Sequence, residues 1–254
     1  MKARRLFCYD AEMTNEDPNE ISLAGQPIYR HVEANAWQVP EGEVCIEQIS
    51  NHIEQHLGKI ESVFHEIVSD TVHIDVHWVK PNAVYPFHRL ITSGMSDLPM
   101  QTPENVQVPR YAELMMTLPP EWKIDQVSFE DEKWYWPIRE LKFLARLPHK
   151  YNTWLGFGHT VPNGDPPEPF APGSKLCGAI VLPSVTVPEE FHCLQIDAEK
   201  AITFYSVVPL YESEMNLKLN KGTDELLSLF DKKNINDVVN VNRADVTKKK
   251  FGFF

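Results

Sequence analysis

The sequence predicts an α+β fold: a mixed, mainly antiparallel β-sheet packed with several helices. Three observations predict it. Runs rich in β-branched and aromatic residues, separated by short turns, occur at 62–68, 71–79, 87–92 and 110–118, and again at 176–182, 191–196 and 202–209. Apolar residues at helical spacing occupy other stretches, at 44–57, from Trp136 to Pro148, at 211–219 and at 223–232. Hydrophobic residues make up 43% of the 254-residue chain and charged residues 24%, a balance that buries a core and differs from the charge-rich composition of disorder.

Taken in order, residues 1–43 show no clear period and carry turn formers at Asp17-Pro18-Asn19, Gly25-Gln26-Pro27 and Pro40-Glu41-Gly42. Ile46, Ile49, Ile53 and Leu57 then mark one buried helix face, with Gly58 placed as a left-handed cap. The first β-runs form a hairpin or meander, with a turn at Lys80-Pro81-Asn82. In the second run Val72, Ile74 and Val76 lie on one face and His73, Asp75 and His77 on the other. The run ending at Leu118 places Glu113 between Ala112 and Leu114, and Pro119-Pro120 stops it.

Trp136-Pro137 opens the clearest helix, because a proline in the first turn forfeits no helical hydrogen bond. Ile138, Leu141, Leu144 and Ala145 are expected inside, Arg139, Glu140, Lys142 and Arg146 in solvent, and Pro148 at the exit. Residues 163–173 hold too many prolines and glycines for a ladder and predict an ordered surface loop or a mobile flap. Gly222 separates the two short helices that follow the last strand.

A net charge of −12 argues against a protein that grips nucleic acid. Cys8, Cys45, Cys177 and Cys193 form no CxxC pair and read as reduced core thiols. Asp10 and Glu12 interrupt the start before a signal-peptide core can develop, and no run approaches membrane-span length, so a cytoplasmic protein without a membrane partner is expected.

Motifs for chemistry are incomplete. His52-Ile-Glu54-Gln-His56 lacks the zinc-protease order and reads as a solvated helix face. His73, Asp75 and His77 lie about 7 Å apart along a strand, too far for one ion to take all three, and read as a hydrogen-bonded polar row. Two of them joined by His88 or His159 would give the alternative, a metal-dependent enzyme. Ser93-Gly-Met-Ser-Asp97 has no nucleophile elbow, and Gly156-Phe-Gly158-His159 lacks the third glycine of a dinucleotide fingerprint. The large aromatics Trp78, Trp122, Trp134, Tyr135, Trp136, Tyr151 and Trp154 read first as core and second as recognition anchors. No catalytic residue and no cofactor are expected.

The order Ile74-Asp-Val-His77, Thr92-Ser-Gly-Met-Ser-Asp97, Tyr111-Ala-Glu-Leu-Met115, Leu118-Pro-Pro-Glu-Trp122, Trp136-Pro-Ile-Arg139, Leu144-Ala-Arg146, Asn152-Thr153 and Gly158-His159 resembles the suppressor of fused domain family. The similarity continues through Pro162-Asn-Gly-Asp165 and Val208-Pro-Leu-Tyr211 to Gly222-Thr223, and is to the compact, single-domain bacterial form. The resemblance implies a mixed α/β domain over residues 41–247, preceded by an extension at 1–40 packed on it and followed by a basic-aromatic tail at 248–254. It implies a noncatalytic domain that binds a protein or peptide in a cleft, and in bacteria an immunity protein against a polymorphic toxin. The family's signature positions fall on Ser96, Asp97, Glu113, Asn152, Thr153 and His159, expected here to bind the partner. A purely structural reading of two of them has Asp97 capping the turn at Gly94 and Glu113 pairing with Arg139.

Overall fold

The computed structural model describes residues 7–8 (backbone only), 20–26, 28–30, 44–65, 72–104 and 107–248. The Cys8 side chain, the turn formers at 17–19 and 40–42 and the aromatics of the tail lie outside what is described. β1 (Phe7–Cys8) and β2 (Tyr29–Arg30) pair antiparallel as a small ribbon. The remaining strands form one sheet: β3 (Ile60–Phe64), β4 (Asp75–Val79), β5 (His88–Ser93), β6 (Tyr111–Leu118), β7 (Thr160–Pro162), β8 (Leu176–Leu182), β9 (Cys193–Gln195) and β10 (Ala201–Tyr211). Their order is β3-β4-β5-β6-β10-β8-β7, with β9 also on β10. Every pairing among these strands is antiparallel except β6 with β10, where Ile202 faces Tyr111 and Ser206 faces Met115.

Local chemistry accounts for the connections. The expected turn between β4 and β5 is held by Asn82, whose Oδ1 accepts from the backbone N–H of Val84 and Tyr85 at 3.0 and 2.9 Å. Among the described residues four α-helices cover the sheet: α1 (Ile46–His56), α2 (Glu132–Lys150), α3 (Glu212–Lys221) and α4 (Thr223–Lys233). Ile49, Ile53 and Leu57 pack with Val79, Ile91, Met115, Ile202 and Phe204 on one face. Trp136, Leu141, Leu144 and Ala145 pack with Val76, Leu90, Leu114, Met116 and Val207 on the other. Because both faces are covered, β6 reads as an almost unbroken buried run, not as alternating apolar and polar positions. α3 and α4 extend the α1 layer, with Met215, Leu226 and Phe230 on Ile180, Val208 and Leu210.

Several expectations change. Glu140 is buried, not solvated, and α2 runs through Pro148 to Lys150. His52 is buried as well, its ring clustered with those of Phe191 and Phe204 and its Nε2 donating to the Phe191 carbonyl at 3.0 Å, because the 189–192 segment folds back over α1. Residues 191–196 supply a short helical turn and only three strand residues, and Cys193 there is exposed, so the reading of all the cysteines as core thiols fails at that position. The proline-rich loop is ordered: Phe170 stacks on Trp136 at 4.8 Å between ring centroids. Trp122, Trp136, Tyr151 and Trp154 are core, as first read.

Candidate functional site

β5 ends at Ser93, and the chain turns there through Gly94 at φ +106°. A Cβ at that position would stand 1.9 Å from the His73 carbonyl oxygen, so glycine is required both by the dihedral and by the contact. One helical turn, Met95–Asp97, follows, with the Asp97 N–H donating to the Gly94 carbonyl at 3.2 Å.

Glu113, from the adjacent β6, points into this turn. Its Oε1 accepts from the backbone N–H of Gly94 (3.1 Å) and Ser96 (2.9 Å) and from the Ser96 hydroxyl (2.6 Å), while Oε2 accepts from the Thr92 hydroxyl at 2.5 Å. Glu113 has no exposed surface. Burial pushes its carboxyl up to about 7, against the opposing pull of the Ser96 and Thr92 hydrogen bonds. Glu113 therefore holds the turn from inside. It does not pair with Arg139, which bonds instead to Glu132 at 2.5 Å and to the Phe170 carbonyl at 3.0 Å.

Asp97 lies at the outer side of the turn and is partly exposed. Burial raises its carboxyl pKa, while Lys200 and the Cys45 backbone N–H at the start of α1 oppose that shift. Lys200 is itself buried beneath the surface, its Nζ 5.0 Å from the Tyr111 ring. Asp97 thus joins β5, the N-terminus of α1 and the start of β10, an arrangement in which the helix dipole favours the charged form. Local sequence patterns do not show Lys200 and Cys45 as its neighbours, since both lie far from it along the chain and meet it only in the folded sheet.

The remaining predicted residues follow α2. Asn152 is exposed at φ +48°. Thr153 is buried; its carbonyl accepts from Gln101 N–H at 3.1 Å, and His149 donates to the Met95 carbonyl at 2.7 Å, so this connection clamps the segment just after the Gly94 turn. His159 is buried farther along, its ring 4.2 Å from Trp154, and burial lowers its pKa to about 3, keeping it neutral. Of the six predicted partner contacts, only Asp97 and Asn152 present side chains to solvent; Ser96 and Glu113 are brought together inside the turn, whereas Thr153 is buried against Gln101 and His159 is buried apart from them, on Trp154 and beside Val181 of β8. A surface depression bordered by Pro167, Lys175, Tyr211, Asp245 and Lys248 contains none of the six.

The histidines of the alternative enzyme reading do not form one group. His77 bonds to Ser93 at 2.9 Å, and His88 takes the Trp78 indole N–H and donates to the Pro120 carbonyl. Strand alternation sends His77 and His88 to opposite faces of the sheet, and His159 is packed on Trp154. Among the described residues a different trio converges: His65, His73 and Asp75. Hairpin pairing of the first two β-runs is the signal that would have brought His65 opposite the start of β4.

The family model for the suppressor of fused protein matches residues 70–244. The chain belongs to the suppressor of fused family. The match begins before β4 and takes in the Gly94 turn, Glu113 and the 152–159 connection. Among solved structures, a putative suppressor of fused homologue from Neisseria gonorrhoeae is similar at a TM-score of 0.59 and 17% identity, covering 80% of this chain and 97% of that one. A Sufu–Fu complex is similar at 0.56 and 15% identity (81% and 93% covered), and Drosophila Suppressor of Fused at 0.54 and 14% (83% and 52%). At these identities the likeness concerns the fold, and it agrees with the mixed, mainly antiparallel sheet predicted from sequence. A search among curated proteins returns no match. No helix among the described residues is long and apolar enough to cross a membrane.

Proposed function

We propose that the chain is a noncatalytic binding domain that takes a protein or peptide partner at the end of the sheet marked by Asp97. The observation that carries this reading is Asp97 itself: a partly exposed carboxyl held at a fixed place by a turn that Glu113 and Gly94 define. A group positioned before binding gives up little entropy when it accepts a basic or hydroxyl-bearing side chain. The outer edge of β3, at one end of the strand order, offers backbone groups for strand addition. A relative of the same fold has been solved as a Sufu–Fu complex, which supports a protein as the partner class.

In its finer form, the proposal makes the partner a cationic toxin domain and this chain its bacterial immunity protein. Net charge −12 supports it through electrostatic steering, which accelerates encounter with a basic partner. Partners captured from cells by wild type and by Asp97→Arg test the binding site. Loss of a wild-type partner from the folded variant is the expected outcome, and retention of every partner overturns the placement. Coexpression with a toxin encoded beside the gene tests the finer reading, which requires rescue of growth by wild type.

A further inference from the structure

We propose that His65, His73 and Asp75 bind a transition-metal dication that fastens the β3–β4 hairpin, a role independent of partner binding. His65 stands at the end of β3, and His73 and Asp75 lie just before and at the start of β4. Asp75 receives both rings: His65 Nδ1 is 2.9 Å from Oδ2 and His73 Nε2 is 3.0 Å from Oδ1. The donor atoms of the three residues lie within 4.8 Å of one another.

Two imidazoles and a carboxylate suit zinc, copper or nickel better than magnesium or calcium, which favour oxygen alone. Tetrahedral zinc with bonds of about 2.05 Å needs donors about 3.3 Å apart, so modest ring rotation closes the set. Both histidine side chains are more than half exposed, at 67% and 52%, and have the freedom to make that rotation. Asp75 is 5% exposed and cross-paired with Ser93, so the carboxylate is the fixed point about which they close. The His73 carbonyl is also packed on Gly94, which anchors that ligand's backbone. Three protein donors leave a fourth position for water. His77, the neighbour on the same strand face, is bonded to Ser93 and is not one of the three.

Fastening His65 at the end of β3 to His73 and Asp75 at the start of β4 holds the two strands together only in the folded state, so bound metal adds to stability by linkage. Calorimetric titration of the chelator-treated full chain with zinc chloride, paired with thermal melting, tests the assignment. The expected result is one zinc per chain and a raised melting temperature. His65→Ala and His73→Ala, both at exposed positions, should each weaken zinc binding at least roughly tenfold, whereas His56→Ala should not change it. Cobalt(II) in place of zinc should give the visible absorption of a tetrahedral site in wild type and not in the double variant. Absence of binding with zinc in large excess overturns the proposal, as does a folded double variant that binds zinc as tightly as wild type.

Discussion

A carboxyl group with no exposed surface persists only where its surroundings supply donors, and Glu113 receives four hydrogen bonds from Thr92, Gly94 and Ser96. With a folded pKa of about 7 against an ordinary 4.5, the native protein keeps this proton where the unfolded chain has lost it. Stability therefore falls as pH rises from about 4.5 to 7, by on the order of 3 kcal/mol from this residue alone. Glu113→Gln cannot titrate and loses an acceptor, so it should be less stable than wild type at pH 5, with the gap shrinking toward pH 8 in urea unfolding. A gap that widens with pH would refute the assignment. Glu113 was legible in the sequence as a polar residue between Ala112 and Leu114, and the Gly94 turn was legible as well, but the bond between them was not, because that contact joins residues on neighbouring strands. His52 was misread for a related reason: its burial is imposed by Phe191, far along the chain.

At the scale of elements, periodicity located α1, β6, β8 and α4 closely, since their apolar positions repeat over whole turns or strands. Short elements escaped it. β7 has three residues and is specified by pairing with β8, not by its own pattern. Pro148 did not end α2: the helix continues to Lys150, with the Tyr151 N–H still bonded to the Leu147 carbonyl at 3.1 Å. The element most sensitive to a single change is the Gly94 turn. Gly94→Ala combines an unfavourable φ of +106° with a 1.9 Å clash against backbone, and neither can be relieved by a side-chain rotation. A loss of roughly 2–4 kcal/mol is expected in denaturant unfolding. Partner binding should weaken as well, since the turn also fixes Asp97; an alanine variant as stable as wild type would show that the turn is not tightly constrained.

Across the whole molecule, the segment after α4 returns to lock the sheet. Val238 bridges Thr117 of β6, and Asp237 accepts from the Ser184 and Thr186 hydroxyls at 2.6 and 2.9 Å. Farther on, Arg243 grips Glu214 of α3 through two bonds of 2.6 and 2.5 Å, with both side chains buried. Arg243→Ala strands the Glu214 charge and should cost roughly 3–5 kcal/mol, read as a lower denaturant midpoint; a change below about 1 kcal/mol would deny the lock its importance. None of this was visible in local patterns, because residues 234–248 carry no period and owe their placement to partners elsewhere. The position of β10 between β6 and β8 has a further consequence for biosynthesis. As the chain leaves the ribosome, the β3–β6 meander and the β7–β8 hairpin must each wait for the strand that will join them, which emerges only after about 200 residues have been translated. Until then two half-sheets keep open flanks, and this is the interval in which a chaperone or an early contact between nascent chains would have its greatest effect.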